Sequence, residues 1–137
     1  MPYFNVLSIK TEGEVTNPMV MGQHSVDFFI SNVGMEKHSD DDAHYIVTLS
    51  YSHSANNQHL FSLKVTTTWL IVKLKQDELE RAKAFVRHLL IRSISVFHGV
   101  LDTKIKEKGW IIRLQDDPDL QRPIELTNDL VDKYFKS

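Results

Sequence analysis

Residues 44–54, HYIVTLSYSHS, and residues 59–72, HLFSLKVTTTWLIV, are the two stretches of the sequence that decide the fold. In both of them large apolar side chains alternate with serine, threonine or lysine, and this period of two is typical of half-buried β-strands. The short polar link between them suits a hairpin loop, so the two strands are predicted to pair antiparallel. One face of the pair is apolar and aromatic, and it therefore needs a cover of helices or of a second sheet.

Two more strands are predicted before this hairpin. The first runs from residue 4 to residue 15 and ends where Pro18 and its polar neighbours interrupt the pattern. The second runs from residue 25 to residue 37, with Gly34 at a bulge or bend. The two faces of this second strand carry Val26, Phe28 and Ile30 on one side, and Asp27, Phe29 and Ser31 on the other.

From Asp77 to Lys108 the apolar spacing becomes that of one long amphipathic helix. Asp77 and Glu80 are spaced as a capping box, and Gly99 is a candidate bend. At about 1.5 Å per residue such a helix reaches about 45 Å, which is longer than the expected sheet, so part of its apolar surface is predicted to contact another subunit. The residues assigned to this oligomer interface are Leu79, Val86, Leu90, Ile94, Phe97 and Leu101.

After the long helix the sequence predicts a short extended piece at residues 110–114, a loop at residues 115–123, and a short helix at residues 124–135. The fold class is therefore α+β: a four-stranded antiparallel sheet covered by a long helix, with a short C-terminal helix. A length of 137 residues predicts that residues 1–137 form a single domain.

Composition excludes several classes of function. The formal charge of −2 lacks the positive field that nucleic-acid binding needs, so no nucleic-acid partner is expected. The absence of cysteine excludes disulfides and thiolate chemistry. The start of the sequence does not resemble a signal peptide, and no apolar run approaches the ~20 residues of a membrane span, so we expect a cytoplasmic protein without membrane insertion.

The sequence contains no motif that indicates an enzyme. It lacks the G-x-S-x-G elbow and the glycine-rich phosphate loops, so no catalytic residue and no nucleotide is predicted. Among its seven histidines, His53 and His59 flank the hairpin loop, where strand pairing could bring the two rings together. With the acidic run at residues 40–42 they still match no zinc or calcium signature, so no metal or other cofactor is predicted. His88 and His98 are expected on the surface or at a helix interface.

The strands carry more large rings than a sheet of this size needs for its core. Most of them are expected beneath the long helix, and the surplus is expected to line a groove that binds polypeptide. We assign this groove to the edge formed by the second strand and the long helix. A shift of one residue in the register of that strand would exchange its two faces. The residues assigned to client binding are Val26, Phe28, Phe29, Ile30, Leu63 and Trp69.

Residues 42–52, DAHYIVTLSYS, and residues 60–66, LFSLKVT, resemble the central hairpin of the SecB family of export chaperones, and the likeness in element order extends from about Asn5 to Phe135. The resemblance implies a homotetramer that holds non-native proteins in hydrophobic grooves without ATP. The sequence departs from the family in the direct link of residues 73–75 to the long helix, in the basic helix end at residues 104–108, and in its small net charge. Docking to a translocation motor is therefore left open, as are another client and a non-chaperone interaction module.

Overall fold

The computed structural model describes residues 2–12, 24–55, 58–107 and 117–136. It contains four β-strands and two α-helices, which confirms the predicted α+β class. The elements in chain order are β1 Tyr3–Glu12, β2 His24–Lys37, β3 Ala43–Ala55, β4 Gln58–Val72, a short 3-10 turn Leu74–Gln76, α1 Leu79–Glu107 and α2 Gln121–Lys136. The predicted extended piece at residues 110–114 lies outside the described residues.

The four strands form one antiparallel sheet in the order β1-β4-β3-β2. The predicted hairpin of β3 and β4 is therefore the centre of the sheet, and β1 and β2 are its edges. Each edge strand contains an irregularity in its register, between Val6 and Ser8 in β1 and between Ile30 and Asn32 in β2. The bulge in β2 thus lies at Ser31 and not at Gly34, which pairs regularly with Ile46. An extra residue in one strand bends that strand and interrupts its pairing edge.

One face of the sheet carries the core. Alternate residues of β3 and β4 point to this face and are buried beneath α1, as the period of two predicted. Helix α1 runs from one edge strand to the other, since Phe85 contacts Phe4 on β1 and Phe97 stacks on Phe28 of β2. The indole Nε1 of Trp69 donates to Ser93 Oγ at 2.8 Å, which explains a serine within the apolar stripe of α1. This face of the sheet is called the core face below, and the opposite one the open face.

Helix α2 lies beside α1 and beside β2. The carboxylate of Asp119 accepts a hydrogen bond from the backbone N–H of Gln121, and Pro123 fits in the first turn, where its missing N–H has no partner to lose. Two polar contacts join α2 to the rest of the core. Tyr45 and Thr127 share a hydrogen bond of 2.7 Å between their hydroxyls, and Lys83 Nζ lies 3.0 Å from Asp132 Oδ1. The hydrogen bond to Asp132 raises the pKa of Lys83.

The predicted oligomer interface on α1 is wrong in its residues. Five of the six, namely Val86, Leu90, Ile94, Phe97 and Leu101, are buried within the single chain, and Leu79 is half-buried. The prediction underestimated the sheet: β4 has 15 residues and is about 50 Å long at about 3.3 Å per residue, so it is as long as α1. The chain therefore covers the apolar stripe of its own helix from Ala82 to Ile105.

The start of α1 also differs in detail from the expected capping box. Asp77 Oδ1 accepts from the backbone N–H of Glu78, while Glu80 forms an ion pair of 3.6 Å with Lys83. Gly99 lies inside the helix without interrupting it. Within the described ranges α1 is the one helix long and apolar enough to cross a membrane by length and composition, although no membrane span was expected from the sequence. In the structure this helix is the cover of the sheet.

Candidate functional site around Phe29

The structure divides the six predicted client-binding residues into two groups. The four residues on β2 are accessible: Val26 and Phe29 are exposed, and Phe28 and Ile30 are half-buried. Leu63 and Trp69 are core residues with 3% and 1% exposure, so their side chains are not accessible to a client, although Leu63 is among the residues that line the first cleft described below. Both lie on β4, an inner strand whose core face is covered by α1. Among the six predicted residues, those on the edge strand β2 are the ones whose side chains lie within reach of another molecule.

Phe29 points away from the core, as one of the two registers considered for β2 predicts. It lies opposite Ser50 of β3, whose side chain belongs to the open face, whereas Phe28 lies opposite the buried Tyr51. The Phe29 side chain is 45% exposed. A large ring on the polar face of an antiparallel sheet is not required by the core, so its position needs another explanation.

A cleft of about 520 Å³ lies on the open face beside Phe29, and it is called the face cleft below. Strand register places seven of its nine lining residues in two rows across the sheet, and the other two, Tyr51 and Leu63, lie in the row between them. One row contains Glu12, Lys64, Ser50 and Phe29, and the other contains Ser62, Ser52 and Asp27. Small serine side chains thus form the floor, and longer side chains from both edge strands form the walls.

Hydroxyl groups beside this cleft hold the open face together. Ser50 Oγ donates to Ser31 Oγ at 3.0 Å, and Ser31 Oγ donates to the carbonyl oxygen of Thr48 at 3.3 Å. Thr48 and Thr66 share a further hydrogen bond of 2.9 Å between their hydroxyls. The bulged Ser31 is therefore tied to β3 by its side chain, and this fixes the backbone next to Phe29.

A second cleft, of about 350 Å³, lies at the outer edge of β2 and is called the edge cleft below. One of its walls is β2 from Phe28 to Val33, and the other is the start of α2 with its preceding residue Asp119. The α2 side chains in this wall are Arg122, Pro123 and Leu126, and Leu126 is exposed. The two walls keep their spacing because Tyr45 and Lys83 hold α2 to the core through the contacts described above.

Phe29 lines both clefts. The two clefts thus meet at its ring, on either side of the β2 edge. The charged groups that line them are the carboxylates of Glu12, Asp27 and Asp119 and the cations of Lys64 and Arg122. Carboxylates outnumber cations by one, so the combined surface is apolar at its centre and slightly acidic at its rim.

The aromatic residues below this surface are held rigidly. Phe28 stacks on Phe97 with ring centroids 4.8 Å apart, and it meets Tyr51 edge-on at 6.0 Å. Burial raises the pKa of Tyr51 to about 12, so its hydroxyl stays neutral over the whole physiological range. Because these rings are locked by each other, the half-buried Phe28 offers a firm support for whatever contacts Phe29.

The histidines suggested as metal ligands lie apart. His59 is paired with Ser54 and belongs to the open face, whereas His53 is paired with Phe61 and is buried on the core face. Within the described ranges no cluster of three or more histidine, aspartate or glutamate side chains could hold a metal ion. His88 is exposed on α1, and His98 Nε2 lies 3.7 Å from Asp117 Oδ1 at the approach to α2.

Several residues of the site were not identified from the sequence. Glu12, Lys64 and the serines of the face cleft are far apart in the chain and meet only through strand pairing. Leu126 lies within the predicted terminal helix, but it is exposed, because the buried residues of α2 are Pro123, Thr127, Val131 and Tyr134.

No protein-family model matches the chain, and no curated protein matches it at a significant level.

Proposed function

We propose that this protein is an ATP-independent holdase of the cytoplasm that binds non-native polypeptides on the apolar surface around Phe29. The observation that carries the proposal is the position of Phe29: its ring is exposed on the open face and joins two clefts. Exposed apolar surface beside concave walls is typical of sites that bind other chains. The SecB-like order of strands and helices supports the same function.

The experiment compares aggregation of several chemically denatured proteins, unrelated in sequence, after dilution with and without the protein and without ATP. Wild type is expected to reduce turbidity near stoichiometric ratios, and Phe29→Ser is expected to lose most of this effect. Ile91→Ser is the matched control, since Ile91 is an equally exposed apolar residue on α1 outside both clefts. Both substitutions are expected to cost less than about 1 kcal/mol of stability, because neither side chain is in the core.

The outcomes separate the proposal from its alternatives. If the two variants suppress aggregation equally well, Phe29 is not the binding site. Failure of the wild type with every client would replace the holdase by a dedicated interaction module that binds one partner. An unfolded Phe29→Ser protein would assign Phe29 to the core and remove the basis of the proposal.

We also propose that the protein is a homo-oligomer, as the SecB-like architecture implies. With the α1 stripe buried, support for an interface comes from the edge strand β1, where Tyr3, Val6, Leu7 and Ile9 are all exposed. Four exposed apolar residues on one edge strand are unfavourable in a monomer, because such edges pair with other chains. Light scattering at micromolar concentration is expected to give a dimer or tetramer, which Ile9→Lys is expected to weaken. A strict monomer for the wild type would refute this assembly.

A further inference from the structure

The outer side of β2 offers hydrogen-bonding groups as well as apolar side chains. Strand β2 pairs with β3 on one side only, and in the described part of the chain no strand pairs with its other side. In an antiparallel ladder every second residue points its N–H and C=O away from the neighbour, so an edge strand carries a row of unpaired groups. The edge cleft lies along this row from Phe28 to Val33, and the apolar side chains that line it there are Phe28, Phe29, Ile30 and Val33.

The bulge at Ser31 determines which part of this edge is regular. Residues 24–30 pair with β3 in an unbroken register, and the register shifts before Asn32. A strand added from outside can therefore follow residues 24–30, but it loses the alternation of donors and acceptors at the bulge. Val26 and Phe29 project to opposite faces of this regular stretch, and both are about half exposed, at 53% and 45%.

We propose that residues 24–30 bind an extended polypeptide segment as a fifth strand. The proposal rests on the proposed function and specifies how a client is held: main-chain hydrogen bonds to β2 determine the register, and alternate side chains of the segment contact Phe29 on one face and Val26 on the other. Strand addition to a free sheet edge is an established mode of peptide recognition, in which backbone pairing gives affinity for many sequences.

The charges at the rim favour a neutral or basic segment as the occupant. Asp27 lies within the regular stretch, and Asp119 lies across the edge cleft from it, beside Arg122. With Glu12 and Lys64 of the face cleft, the rim carries one carboxylate more than it carries cations. A second copy of β2 would bring another set of these carboxylates to the same place, and like charges that face each other oppose association. An acidic segment is disfavoured for the same reason.

The probe is a fluorescein-labelled, C-terminally amidated peptide with the sequence of residues 60–68, LFSLKVTTT, which alternates in polarity and carries one lysine. Two versions are prepared, one with N-methyl groups on two odd-numbered residues and one with N-methyl groups on two even-numbered residues. N-methylation removes a donor and leaves the side chains unchanged. Binding to the full-length protein is measured by fluorescence anisotropy.

Strand addition predicts that one methylated version binds about tenfold more weakly or worse, because two main-chain hydrogen bonds are lost, while the other stays within about threefold of the parent. Equal affinities for the two versions, whether unchanged or reduced, overturn the proposal, since a groove that reads only side chains does not distinguish them. Replacing the lysine of the probe by glutamate is expected to weaken binding severalfold. Unchanged affinity for that peptide would overturn the assignment of the occupant.

Hydrogen exchange locates the bound peptide. The outward-pointing amides within residues 24–30 are expected to become protected by the parent peptide, at alternate positions. Protection at another strand, or in no strand, overturns the proposal even if the peptide binds. These results are independent of the aggregation assay: a protein that suppresses aggregation but treats both methylated peptides alike keeps its proposed function and loses strand addition.

Discussion

The hydrogen bond between Tyr45 and Thr127 joins the centre of the sheet to α2, and its contribution to the free energy of unfolding can be predicted. Both side chains are fully buried, and their hydroxyls lie 2.7 Å apart. Burial raises the pKa of Tyr45 well above its usual value, so the hydroxyl is a neutral partner under all ordinary conditions. Because α2 forms one wall of the edge cleft, this contact also supports the proposed binding surface.

Thr127→Val keeps the shape of the side chain but leaves the Tyr45 hydroxyl buried without that partner, and we expect a loss of about 2 kcal/mol in the free energy of unfolding. Tyr45→Phe is expected to cost less, about 1 kcal/mol, because a threonine hydroxyl inside a helix can turn to the carbonyl one turn earlier. The double variant removes both polar groups at once. Its cost is expected to fall about 1 kcal/mol or more below the sum of the single costs.

The measurement is urea unfolding followed by far-UV circular dichroism, with linear extrapolation for the four proteins of the cycle. Thr66→Val is the matched control. Thr66 also shares a hydroxyl hydrogen bond, at 2.9 Å with the buried Thr48, but Thr66 itself is only half-buried on the open face, so water has partial access to this pair. We expect its cost to stay below about 1 kcal/mol. The reasoning would be refuted if the cost of the double variant equalled the sum of the two single costs within about 0.5 kcal/mol, or if Tyr45→Phe cost more than Thr127→Val.

Three further predictions follow from the packing of the core. The pKa values of Tyr51 and Tyr134 are both raised to about 12, chiefly by burial, so the stability that their protonated forms provide is fully present below the unfolded pKa near 10. Between pH 10 and 12 the free energy of unfolding is expected to fall by up to about 1.4 kcal/mol per pH unit for the well-buried Tyr51. A free energy of unfolding that does not change with pH over this window would contradict the prediction. Gly99→Ala is expected to stabilise the protein by up to about 1 kcal/mol, because a Cβ there meets nothing within 4 Å; a lower melting temperature would indicate that the glycine is needed for a contact outside the single chain. Leu63→Ala is expected to lower the free energy of unfolding in urea by about 2 to 5 kcal/mol, and a loss below about 1 kcal/mol would show that Leu63 is not a core residue.

The local pattern of the sequence was sufficient for most of the elements. The alternation in β3 and β4 predicted the central hairpin and its apolar face, because a period of two places all the apolar side chains of a strand on the same face, which is then the buried one. The three-four spacing after Asp77 predicted α1, and the structure begins and ends that helix within two residues of the expected bounds over the described range. The alternation in β2 also separated Phe29 from Phe28 correctly, since the pleat sends neighbouring side chains to opposite faces.

The site depended on information that no single segment contains. Leu63, Trp69 and Phe28 are equally apolar in the sequence, but only Phe28 is on an edge strand. The strand order β1-β4-β3-β2 arises because β1 pairs with β4, from which β2 and β3 separate it in the sequence. The same order buries the α1 stripe against long strands of its own chain, which removed the predicted interface. Periodicity determines which face of an element is apolar, because that depends on neighbours within a few residues. Which apolar face remains uncovered depends on contacts between distant segments, and only the tertiary structure decides it.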